Sequence, residues 1–273
     1  MTAAIFQEHL LFAETRHGAI WRYAPALPKP CHFHGQWEFI VVKRGCTLQR
    51  VGAQLQSVHA RQLLWISPGL PHENVEASKD LEARIVHVEP SLLNDVFSLH
   101  CLVSGRPVVE LGTADFDEIW DQCEEQTHCG SVFLDKTTSV ITAFNRARLA
   151  TKTNCDDRRA NSVAELAAAL LIGDPALDRT ALCRQLDVST SYLSRRFRDE
   201  LNVTIQEFRT RIRIAHFVNA VCFGKERWLD AALNAGFGSY SQMHRAFHGV
   251  VGTAPSKYLT GGGRNERALL NAR

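Results

Sequence analysis

Ser191-Tyr192-Leu193-Ser194-Arg195-Arg196-Phe197 is answered fifty residues later by Ser241-Gln242-Met243-His244-Arg245-Ala246-Phe247. The register runs on past the phrase, with Asn202 matched by Gly252 and Phe208 by Tyr258. Two copies of one short unit in the C-terminal third mark a duplicated supersecondary module. In each copy the large apolar residues recur at i and i+4, Leu193 and Phe197 in the first and Met243 and Phe247 in the second. That spacing predicts a helix with one buried stripe.

Around the first phrase, Thr180 to Leu186 reads as a short helix, Asp187-Val188-Ser189 as a turn and Thr190 to Leu201 as the next helix. Leu193, Phe197 and Leu201 face inward with Val188, which leaves Ser191, Ser194, Arg195 and Arg198 on the open face. Asn202 sits where the chain leaves the helix, a place that tolerates left-handed backbone. The second copy runs from a helix over Trp228 to Ala235, through the turn Gly236-Phe237-Gly238-Ser239, to a helix over Tyr240 to Val250. That helix buries Met243, Phe247 and Val250 and presents Tyr240, Ser241, Gln242 and Arg245. Small hydroxyls allow close approach to a groove, and a guanidinium can fork onto guanine O6 and N7. Thr204 to Cys222 is one long connecting helix with Phe208, Ile212, Ala215, Val218 and Cys222 inward. Such a strut would set the two outward faces about 34 Å apart, one duplex turn. Arg209, Arg211 and Arg213 on it are phosphate candidates, joined by Lys257 after the second unit.

Charge agrees with this division. Residues 178–273 carry 15 Lys/Arg against 8 Asp/Glu, whereas residues 1–177 carry 16 against 21, so only the C-terminal end is suited to a polyanion. The first residues lack the basic and apolar pattern of a signal peptide, and no apolar run is long enough for a membrane span. Eight cysteines without CxxC pairs read as reduced thiols. A cytoplasmic protein without membrane contact is expected.

Residues 160–260 strongly resemble the DNA-binding domain of AraC/XylS-type transcriptional regulators. The resemblance rests on Val188-Ser189-x-Ser191-Tyr192-Leu193-Ser194-Arg195-x-Phe197, Ala232-x-x-Ala235-Gly236-Phe237, Arg245-x-Phe247 and Gly252-Thr253-x-Pro255-Ser256-x-Tyr258. Asp187, Cys183 and His248 depart from the family's usual Gly, Ala and Lys. The resemblance implies double-stranded DNA as partner, RNA polymerase as a second partner, and transcription activation as the usual role.

Residues 5–90 read as β structure: short apolar stretches such as Trp37–Val42 and Leu63–Ile66 are bounded by Gly45, Gly52, Pro68-Gly69 and Pro71. A barrel or double-sheet roll is implied. His32-x-His34-x3-Glu38-x6-Gly45 fits the first signature of the cupin superfamily, and Pro68-Gly69-Leu70-Pro71-His72 fits its second less well. In metal cupins the residues matching His32, His34, Glu38 and His72 hold Fe, Mn or Zn. Many cupin sensors instead bind an organic effector through the same groups. An effector site of His32, His34, Glu38, Arg50 and His72 without a cofactor is the first reading here. A divalent metal on the three histidines and Glu38 is the second, and purely structural histidines the third. His9, His17, His59, His87, His100, His128, His216 and His244 show no ligand spacing and read as ordinary. Trp65 is a pocket candidate better suited to the core, and Trp37 belongs to the face away from His34.

The expected fold class is α+β: an N-terminal cupin-like β-barrel (1–110), a helical linker or dimerisation region (111–159), an all-α domain with two helix-turn-helix units (160–260) and a tail (261–273). Phe116, Ile119, Trp120 and Phe144 would supply either a homodimer contact or packing onto the barrel. The expected function is a non-enzymatic, sequence-specific DNA-binding regulator modulated by a small molecule. The alternative is a metal-dependent cupin enzyme with an appended helical domain.

Overall fold

A computed structural model describes residues 6–7, 18–23, 31–52, 54–90, 107–123, 130–153, 162–222 and 224–259. The last residues of the expected linker region, 154–159, and the expected tail at 261–273 lie outside them. The N-terminal part is a pair of five-stranded sheets, the double-sheet form of the expected β domain. One has the order β1(Phe6–Gln7)-β3(His32–Phe33)-β8(His72–Ala77)-β5(Cys46–Val51)-β6(Gln54–His59). The other runs β10(Val108–Glu110)-β7(Gln62–Ile66)-β4(Trp37–Arg44)-β9(Glu82–Val88)-β2(Gly18–Arg22).

Strand β4 is the centre of the second sheet and its first six residues are all buried, because both of its faces are covered. Successive side chains alternate between those faces. Trp37 and Phe39 turn outward, where Trp37 packs on Trp65 at 5.7 Å and Phe39 meets Phe144 at 5.5 Å. Glu38 turns inward, toward the other sheet. Trp65 also packs on Phe144 and is a core residue.

Phe144 belongs to helix α2 (Gly130–Thr153), which lies with α1 (Thr113–Gln122) against the second sheet. Phe116, Ile119, Trp120 and Phe144 are all buried within the single chain. The Trp120 ring is flanked by Lys43 at 4.9 Å and Arg84 at 4.5 Å. Of the two roles offered by the sequence, these four residues fill the intramolecular one.

The helical part follows with α3 (Val163–Gly173), opened by a capping box in which Ser162 and Glu165 satisfy each other's backbone N–H. The first duplicated unit is α4 (Arg179–Gln185) and α5 (Thr190–Leu201); the second is α7 (Trp228–Asn234) and α8 (Tyr240–Val251). Ser189 and Ser239 cap α5 and α8 through the N–H of Tyr192 and Gln242, and Asn202 and Gly252 end them in left-handed backbone. Within the turns Asp187 (φ 52°) and Gly236 (φ 86°) are equivalent, so the duplication there runs at an offset of 49. Gly238 is the extra residue that restores 50, and its N–H is bonded to Gln242 Oε1 at 2.7 Å. The buried residue at the end of α8 is Val251; Val250, the expected one, is only half-buried.

Between the units runs α6 (Ile205–Cys222), buried on more than the one stripe expected. Phe208 meets Phe197 of the first unit at 5.4 Å, and Phe217 meets Trp228 at 5.9 Å and Phe247 at 6.4 Å in the second. A further face meets the β domain. Gly69 (φ 74°) lies so close to Phe208 and Ile212 that a Cβ there would stand 2.8 Å from Ile212 Cδ1. Since Phe208 is fully buried between these layers, Phe208→Ala should cost about 3–5 kcal/mol of stability. Urea unfolding followed by circular dichroism measures it, and a loss below about 1 kcal/mol would show that α6 is no structural spine.

Candidate nucleic-acid interface and effector site

The first unit presents the face its sequence promised. Leu193 and Phe197 are fully buried, whereas Ser191, Ser194, Arg195 and Arg198 are exposed. Arg196, one residue on, is held by Glu200 along the same helix. Ser194, Arg195 and Arg198 line an open groove of about 1040 Å³ together with Arg179, Thr180 and Arg184 of α4 and Gln206 and Arg209 of α6. Five arginines against Asp178 and Asp199 make that groove basic. Arg179 and Arg184 were not singled out from the sequence, although both fall on the supporting helix of the first unit. Tyr192, 41% exposed beside Ser191, was passed over as well.

In the second unit Ser241, Gln242 and Arg245 are exposed, as is Lys257 beyond it. Tyr240 is half-buried, its ring 6.4 Å from that of Trp228. Arg209 donates to Leu177 O and to Gln206 Oε1, which orients it along the groove. Arg211 and Arg213 do not share that surface. Arg211 is buried with its guanidinium 5.7 Å from the Phe33 ring, and Arg213 donates to Pro175 O at 2.8 Å. Residues two apart on a helix point in different directions, so a run of alternate arginines cannot form one phosphate-facing row.

The second site lies between the two sheets. His32 on β3 stands opposite His72 on β8, and Glu38 on β4 stands opposite His87 on β9. His34 occupies the corner where the chain leaves one sheet for the other. His32, His34 and Glu38 do not share one strand: Gly35 and Gln36 make a bend between β3 and β4, and with His72 the four groups converge from both sheets. His32, His34, Glu38, His72 and His87 are each at most 4% exposed. The donor atoms of His32, His34, Glu38 and His72 all lie within 4.8 Å of one another. His87, read as ordinary from the sequence, bonds Glu38 Oε2 at 2.5 Å. Its signal was a lone polar residue inside the otherwise apolar run Ile85-Val86-His87-Val88.

Arg50 is not brought to this cluster. It projects from the other face of β5, half exposed, and pairs with Glu73 at 3.2 Å. The buried face of the same strand carries Thr47 and Gln49, which form a polar wall with Asn74.

The protons of the cluster constrain what it can hold. His34 Nδ1 lies 3.0 Å from Gln36 O, and its Nε2 lies 3.0 Å from Glu38 Oε2. Burial pulls the His34 pKa down to about 3, so the ring is neutral and has one N–H for two acceptors. His72 Nδ1 faces Leu70 O at 2.9 Å, which assigns the proton to that nitrogen. Its Nε2 lies 3.6 Å from the same carboxylate oxygen. Burial alone would raise the Glu38 pKa, but His87 and the contacts to His34 and His72 hold it well below the usual carboxylate range. Three imidazoles and one carboxylate fit a divalent transition-metal ion, which binds imidazole nitrogen unprotonated and the carboxylate ionised.

Residues 182–261 match the protein family described as a helix-turn-helix domain. A comparison with curated protein sequences finds no match. Among solved structures, similar ones are those of ToxT from Vibrio cholerae. An apo single-site variant is 12% identical with a TM-score of 0.52, over 90% of this chain and 98% of that one. ToxT with a bound unsaturated fatty acid is 13% identical with a TM-score of 0.51, over 90% and 96%. ToxT bound to (E)-4-(8-methylnaphthalen-1-yl)but-3-enoic acid is 14% identical with a TM-score of 0.50, over 89% and 97%. The chain therefore carries a helix-turn-helix domain behind an N-terminal β domain, in an α+β fold similar to that of ToxT.

Proposed function

We propose that this protein is a sequence-specific DNA-binding transcriptional regulator whose activity is set by a ligand held between its two sheets. The observation that carries the reading is the pair of capped helices α5 and α8, each burying one stripe and exposing serines and arginine on the other. Arg195 and Arg245 read base edges, with Ser191, Ser194, Ser241 and Gln242 admitting close approach. Arg198, Arg209 and Lys257 hold phosphates, and Arg179 and Arg184 extend that contact along the basic groove. Tyr192 and Tyr240 pack against sugar or base at the N-terminal turns. RNA polymerase is the partner that turns binding into transcription. No helix among the described residues is long and apolar enough to cross a membrane.

The ligand class follows from the buried cluster. ToxT, of similar fold, holds organic acids, and that likeness supports a ligand-responsive regulator. In this chain an organic acid would meet the ionised Glu38, whereas a divalent cation would meet three imidazoles and the carboxylate. His32, His34, Glu38 and His72 would hold it, with His87 positioning Glu38. When bound, the ion would add positive charge beside the ionised Glu38 carboxylate. Arg50 has no part in this reading.

Selection of bound fragments from the source genome tests the first half, since a regulator should enrich a discrete sequence. On that sequence Arg195→Ala should cost about 1–3 kcal/mol and relax the base preference at one position. Unaltered preference in a mobility-shift assay would remove Arg195 from its role. Affinity should fall steeply as salt rises, because phosphate contacts release counterions; a flat salt response would argue against docking on the duplex. For the second half, protein stripped with chelator and reloaded with Zn²⁺ or Mn²⁺ should retain one ion per chain, and His72→Ala should lose it. Equal retention by both proteins would return the cluster to an organic effector or to a structural role.

A further inference from the structure

The loops that aim the histidines are also the loops that touch the helix joining the two DNA-reading units. We infer that the state of the His32/His34/Glu38/His72 cluster is passed to those units through loops 34–36 and 69–72, with Gln36, Glu89 and Asn219 as the latch. This inference rests on reading the cluster as a ligand site.

The first loop is the corner at His34. Its ring is held by Gln36 O, and its own carbonyl accepts the N–H of Gly69 at 2.9 Å, which ties the two loops together. Gly35 between them has no room for a side chain, since a Cβ would stand 2.8 Å from Ala215 Cβ on α6. Buried Gln36 donates to Glu89 Oε1 at 2.5 Å, and Asn219 of α6 donates to the same carboxylate at 3.3 Å. The second loop places Gly69 against Ile212 and Phe208, and Leu70 O holds the His72 ring. Any change in the spacing of His34 and His72 is therefore carried by rigid, tightly packed backbone onto one face of α6.

The helix is gripped at two places that belong to different units. Phe208 and Ile212 share the hydrophobic cluster of the β domain and the first unit, together with Leu193 and Phe197. Ile214, Phe217 and Val218 begin a separate cluster with Met243 and Phe247 of the second unit. The Gly69 contact thus holds the helix on the side of the first unit, and the Asn219 latch holds it on the side of the second. Releasing the latch loosens the end of α6 that carries the second unit, while the Gly69 contact still holds the end that carries the first. A ligand shifts such an equilibrium only through its different affinity for the two arrangements, and the loops supply that difference.

The test uses the full chain, a DNA duplex recovered by selection, and Zn²⁺ alone as the probe. Wild type should bind Zn²⁺ and change its DNA affinity by about tenfold between stripped and loaded protein. Asn219→Ala should keep its Zn²⁺ affinity, measured against a chromophoric chelator, to within about twofold, yet lose most of the change in DNA affinity. Gln36→Ala, checked for folding by its melting curve, should do the same. Hydrogen exchange over residues 213–222 should respond to Zn²⁺ in wild type and not in these variants. A full DNA response retained by both variants would overturn the inference, as would a wild type that binds Zn²⁺ with no DNA response. A wild type that fails to bind Zn²⁺ would overturn the cluster reading, and the inference with it.

Discussion

Helix α6 must satisfy three neighbours with one set of side chains. Phe208 serves the first unit, Phe217 the second, and Ile212 and Ala215 the β domain. Cores pack to crystal-like density, so a helix shared in this way cannot move against one neighbour without disturbing the others. The close approach of Gly35 and Gly69 makes the constraint sharper. Backbone meets side chain there with no flexible group between to absorb a shift.

This arrangement links the two sites physically. A buried carboxylate with histidines around it is costly unless its charge is balanced. The chain places that cost at the corner where it crosses from one sheet to the other, and the corner rests on α6. The polar wall of Thr47, Gln49 and Asn74 continues the same unusual choice, a polar interior in a domain otherwise cored by Trp37, Phe39 and Trp65. Polar groups buried between sheets specify geometry more strictly than apolar ones, because each must find its partner.

The basic groove of the first unit shows how arginines of similar sequence context acquire different roles. Arg195 and Arg198 stay open because the opposite face of α5 is consumed by Leu193 and Phe197. Arg209 reaches the groove from α6, while Arg211 is drawn under the β domain onto Phe33 and Arg213 is tied to Pro175 O. Charge counts cannot make that distinction, since all five contribute equally to the positive balance of the C-terminal end.

Local periodicity determined the helices, their caps and their buried stripes, down to the left-handed exit at Asn202 and the capping box at Ser162. Those features depend on residues within a few positions of one another, and a duplicated pattern states them twice. The alternation of apolar residues likewise marked the strands, and the pair His32 and His72 was readable from motif spacing. Only the tertiary structure decided that His87 faces Glu38, that Arg50 turns outward, and that Phe116, Ile119, Trp120 and Phe144 pack within the chain. Each depends on register between strands distant in sequence or on which layer covers a face. The same holds for Gln36, Glu89 and Asn219, whose meeting depends on how the β domain is laid on α6, and no spacing along the chain encodes that contact.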